Sequence, residues 1–131
     1  MKGENNLEAL IKGMKPRLNQ GEFVFCSVKS VAGIDQADIV GSFRESEGTT
    51  LILSRQKADD LGLTYDYVAA WISLEIHSAL EAVGLTAAFS QALAQNGISC
   101  NVMAGYYHDH IFVAYDVREK ALQVLKQLAN R

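Results

Sequence analysis

The chain has 131 residues, of which 49% are hydrophobic and 21% charged, with a single proline. That balance is the one of a compact globular protein and excludes a disordered tail, and at this size roughly two-thirds of the unfolded surface can be buried on folding. The net charge of -3, with twelve scattered Lys and Arg, gives no basic field to collect phosphates, so nucleic acid is not expected as a partner. No apolar run approaches the roughly 18 to 20 residues needed to span a bilayer, and no basic stretch followed by an apolar run opens the chain. The expectation is a soluble, cytoplasmic protein with no membrane partner. The two cysteines, Cys26 and Cys100, lie in apolar runs and read as free, buried thiols.

Leu7, Leu10, Ile11, Met14 and Leu18 recur at helical spacing, with Asn5 and Glu8 as a cap box in front of them and Pro16 as a stop. The aromatic and β-branched run from Glu22 to Lys29 predicts a strand, followed by a loop over Gly33 to Asp38. IVGSFRES and TTLILS form a hairpin that turns at Glu47 and Gly48, and Ser54 caps a short helix ending at Gly62. The tip residues Arg44, Glu45 and Glu47 read as solvated.

A strand from Ala69 to Ile76 leads through HSALEAVGL to a helix beginning near Thr86 and stopping at Asn96-Gly97. ISCNVMAGYY and HIFVAY are two strands about a turn at His108 to His110. The last helix starts at Asp116, with Glu119 reaching back as its cap partner, and carries a stripe of Val117, Ala121, Leu122, Leu125, Leu128 and Ala129. The order is β-α-β-β-α, and the first half repeats it with a loop in place of the first helix. This predicts an α+β fold of two tandem ferredoxin-like halves, residues 1-66 and 67-131, with helices packed on antiparallel sheets. Apolar groups on both strand faces, among them Trp71, Met103 and Phe112, mark either core or an interface.

The stretch AVGLTAAFSQALAQNGISCNV followed by HIFVAYDVREKALQVLKQL resembles an ACT domain, covering about Ala69 to Arg131. With SFRESEGTTLIL and CNVMAGYYHDHIFV added, nearly the whole chain resembles the small stand-alone bacterial proteins with two ACT-like halves. The resemblance implies a regulatory protein that binds an amino acid or similar metabolite at an interface between units, works as a homodimer, signals to a protein partner and needs no cofactor. It assigns ligand contacts to His77, Gly84, Leu85 and Thr86 and to Ser99 and Asn101. Two departures stand out: Ser99 replaces the asparagine of serine-binding members, and the first half lacks a glycine turn leading into a helix.

The residues support such a site without the family. A glycine-bearing turn that opens a helix presents unpaired backbone N–H groups and the positive end of the helix dipole, which suit a carboxylate. Thr86 either adds a donor or caps its own helix. His77, His108 and His110 all fall at connections, and an alternative reading makes them a metal site with Asp109, against the plainer one of turn residues. A third reading is a dimerisation module without ligand. His77, with Glu75, Ser78 and Glu81, is the one local cluster with groups for catalysis; it matches no hydrolase elbow or phosphate loop, so no enzyme is expected.

Overall fold

The computed structural model describes residues 6–76 and 83–131. It divides into two compact units, one of residues 21–69 and one that joins residues 70–131 to the chain's first twenty. Among the described residues there is no helix long and apolar enough to cross a membrane.

In the unit of residues 21–69, strand β2 (Phe23–Val28) lies between β4 (Thr49–Ser54) and Val68-Ala69, the beginning of strand β5 (Val68–Leu74). Strand β3 (Ile39–Arg44) pairs with the far side of β4, so this sheet reads β5-β2-β4-β3 and is antiparallel throughout. Period-two alternation sends Val24, Cys26, Leu51 and Leu53 to one face, where they pack with Ala58 of helix α2 (Arg55–Asp60). Ser54 caps that helix as expected, its hydroxyl accepting from the Lys57 N–H at 3.1 Å. The loop after β2 holds a single 3₁₀ turn at Gln36–Asp38.

In the other unit, β5 lies between β1 (Pro16–Leu18) and β7 (Asp109–Ala114), and β6 (Asn101–Ala104) pairs with β7. The order β1-β5-β7-β6 is the same arrangement as in the first unit, with its fourth strand taken from the start of the chain. Helices α1 (Leu7–Gly13), α3 (Leu85–Gln95) and α4 (Arg118–Ala129) pack together with one sheet face. That core gathers Leu10, Ile72, Leu74, Phe89, Leu93, Ile111, Val113 and Leu125, each fully buried. Helix α4 buries the stripe its periodicity implies, at Ala121, Leu125 and Leu128, with Val124 added.

Four local expectations are corrected. Asn6, not Asn5, caps α1, its side chain accepting from the Ala9 N–H at 3.0 Å. Leu18 belongs to β1 and not to the first helix, which ends at Gly13. The last hairpin turns at Gly105 to His108, closed by the Gly105 N–H on the His108 carbonyl, so Asp109 and His110 are strand residues. A 3₁₀ turn at Tyr115–Val117 precedes α4, and no side-chain cap from Asp116 forms.

Candidate functional site

Helix α3 opens on a glycine for a steric reason. Gly84 has φ of +103°, a left-handed value that an L side chain enters only with strain, and a Cβ there would meet Leu7 Cδ2 at 3.0 Å. No side chain caps α3 among the described residues. Its first-turn N–H groups therefore carry the positive end of the helix dipole without a side-chain acceptor.

The assigned residues fall into different roles. Leu85 is 3% exposed and built into the core, whereas Thr86 is exposed on the first turn of α3. Ser99 is exposed just before β6. The Cys100 thiol is hydrogen-bonded to Ser90, and burial pushes its pKa up to about 11. Ser90 lies five residues along α3 from Leu85, or roughly 7.5 Å at 1.5 Å per residue. Asn101 pairs across the sheet with Phe112 and so shares its face, while the core residue Ile111 pairs with Val102 on the other. In one unit, Asn101 thus turns away from α3 and does not join the Gly84–Thr86 turn. His77, Ser78 and Glu81 lie outside the described residues.

The helix-free face of this unit carries a polar ladder that the sequence does not announce. Asn19, just beyond β1, donates from Nδ2 to the Trp71 carbonyl at 3.2 Å and to Ser73 Oγ at 3.0 Å. Trp71 Nε1 donates to His110 Nδ1 at 3.0 Å, and Ser73 Oγ lies 3.1 Å from the same nitrogen. Arg17 donates from Nε to Glu75 Oε1 at 2.6 Å and from Nη1 to Asn19 Oδ1 at 3.0 Å. Ser73 is 1% exposed, so its hydroxyl is retained only because it is bonded. The Trp71 ring also stacks on Phe112, at 6.2 Å between centroids and 21° between planes.

An indole N–H only donates, so His110 Nδ1 accepts and the neutral ring carries its proton on Nε2. Ser73 Oγ, which accepts from Asn19, lies close enough to share that nitrogen's single lone pair with the indole N–H. Burial, the neighbouring His108 and Arg17 lower the His110 pKa below its ordinary value, with Asp109 opposing them. Burial raises the Asp109 pKa, against the opposing pull of His110. Asp109 alternates with His110 along β7 and shares the face of Ile111, so the His108-Asp109-His110 stretch does not converge on one point. His108 Nδ1 is buried without a hydrogen-bond partner among the described residues. No group of three or more His, Cys, Asp or Glu stands within metal-binding reach among the described residues. Glu75, expected beside His77, holds Arg17.

Among the described residues, shallow grooves mark the outer helix surfaces. One of about 240 Å³ is lined by Ala88, Gln91, Gln95 and Leu128 between α3 and α4. Another, of about 250 Å³, is lined by Glu119, Leu122, Gln123 and Lys126 on α4. Neither encloses a ligand-sized chamber.

Two units of strand order 4-1-3-2, with helices on one face, define a tandem ferredoxin-like fold. Family models described as ACT domains match residues 2–70 and 67–127 in tandem, and the chain belongs to the ACT domain family. It is similar to a Vibrio cholerae protein of unknown function, described as a possible transport protein, with 47% identity over 94% of this chain and 95% of that one and a TM-score of 0.84. It shares its fold with an Agrobacterium tumefaciens protein at 15% identity, covering 88% of this chain and 89% of that one, with a TM-score of 0.65. The regulatory subunit of aspartate kinase from Thermus thermophilus has the same fold at 11% identity, covering 86% and 95%, with a TM-score of 0.59. Among proteins with curated descriptions none matches.

Proposed function

We propose that this chain is a sensor that binds a small amino-acid-like metabolite at the opening of α3 and has no catalytic activity of its own. The observation that carries the reading is the glycine-opened, side-chain-uncapped start of an eleven-residue helix within an ACT unit. The Leu85 and Thr86 N–H groups receive the ligand carboxylate there, the exposed Thr86 hydroxyl adds a donor, and His77 supplies a contact from the preceding connection. Because Asn101 turns away from α3 in its own unit, Ser99 and Asn101 reach the ligand from a second copy. The ligand then bridges a homodimer. Ligand binding favours one arrangement of the two copies, and a partner protein reads that arrangement.

Thermal unfolding against a panel of the standard amino acids tests the reading. A ligand selective for the folded state stabilises it by about 2.7 kcal/mol at a hundredfold excess over its dissociation constant. The expected result is a raised midpoint with one amino acid or a few, lost in Thr86→Ala. A panel that leaves the midpoint unmoved contradicts the reading and favours a ligand-free dimerisation module.

A further inference from the structure

We propose a second ligand seat on the helix-free face of the same unit, where Arg17 receives the carboxylate of an α-amino acid and Glu75 receives its ammonium group. Arg17 is 58% exposed in its side chain, yet its guanidinium is tied to two acceptors, Glu75 Oε1 and Asn19 Oδ1. A surface arginine ordinarily loses rotamer freedom when it binds an anion. Here that freedom is already removed, because Asn19 is itself held by the Trp71 carbonyl and the buried Ser73 hydroxyl. Among the described residues Arg17 uses only Nε and one Nη1 hydrogen, so Nη2 and the second Nη1 hydrogen stay open to a carboxylate. Glu75, 39% exposed, accepts through Oε1 and keeps Oε2 for a cation.

The pairing of an open guanidinium edge with an open carboxylate oxygen selects a zwitterion. A ligand with only one charge would satisfy one of the two and leave the other facing it unfavourably. A ladder that only fastened β1 to β5 duplicates what the backbone does, since Arg17 already pairs with Ser73 and Leu18 with Ile72.

The chain's single tryptophan is part of the ladder, its carbonyl held by the same Asn19 that holds Arg17, so its indole N–H resonance in a ¹H–¹⁵N spectrum reports a change in the seat through the ladder. The titrants are the standard amino acids at millimolar concentration, each compared with the deaminated acid of the same side chain. The expected result is that one amino acid shifts the Trp71 resonance saturably. Glu75→Gln then weakens it by about tenfold or more while sparing the deaminated acid, Arg17→Lys weakens both, and Thr86→Ala changes neither. Arg17→Lys keeps the charge and so guards against a mere folding failure, which the thermal midpoint of each variant checks. A titration that leaves the indole resonance unmoved overturns the second seat, as does a shift that persists in Arg17→Lys and Glu75→Gln. If an amino acid raises the thermal midpoint without moving that resonance, the second seat falls and the α3 sensor reading stands.

Discussion

Replacing Gly84 with alanine tests whether α3 opens on a fixed left-handed turn packed under α1. At φ of +103° an alanine costs roughly 1–2 kcal/mol in the backbone alone. Its Cβ would also sit 3.0 Å from Leu7 Cδ2 and 3.5 Å from Leu7 Cδ1. Pushing the flexible end of Leu7 off its rotamer adds about 0.5–1.5 kcal/mol. Gly97, at φ of +73° with no atom within 4 Å of the place its Cβ would take, is the matched control at the other end of the helix. Gly84→Ala should therefore destabilise more than Gly97→Ala by about 0.5–1.5 kcal/mol, or roughly 2–6 °C in midpoint. The gain in unfolded-state stiffness is common to both and cancels. Thermal and urea unfolding of the two variants, each repeated in a Leu7→Ala background, measure the difference. If Gly84→Ala is no worse than Gly97→Ala, or the excess survives without Leu7, the described packing of α1 on the start of α3 is wrong.

Three further outcomes follow from the same structure. Phe89→Ala, which empties a fully buried site in the core of the unit that holds α3, should cost about 3–5 kcal/mol by chemical denaturation. Because the His110 pKa is lowered in the folded chain, the unfolded chain binds the extra proton first as pH falls through the ordinary histidine value near 6.5. Stability should accordingly be full above that pH and decline below it down to the folded pKa. His110→Asn, which keeps an acceptor for Trp71, should flatten that decline in midpoint-against-pH curves. The raised Cys100 thiol, up to about 11, and the buried Cys26 should react with a disulfide reagent far more slowly in the native than in the denatured protein.

The long elements were legible because each carries its own period. Ala121, Leu125 and Leu128 show α4, while Asn96 and Gly97 mark the end of α3, a stop that needs no tertiary information. Strand β1 was not legible. Three residues cannot display alternation, and Leu18 fits the spacing of the preceding helix until its pairing with Ile72 shows otherwise. The same pairing ties the start of the chain to residues 70–131, a non-local fact that no window of sequence contains. The polar ladder left a weak trace. Trp71 and Ser73 alternate along β5 with Glu75 just beyond its end, and Arg17 and Asn19 alternate beside Leu18, yet only the register brings the two polar faces together. His108 to His110 looked like a turn because histidine and aspartate favour turns, but Gly105 takes the corner and leaves Asp109 paired with Ala104.

Isothermal titration of the purified protein with each standard amino acid tests whether this ACT-family chain is an amino-acid sensor. Saturable heat is expected for one amino acid or a few, at a defined stoichiometry per chain, with Thr86→Ala abolishing the component that belongs to α3. Heat of dilution alone across the whole panel would mean that the chain senses no amino acid.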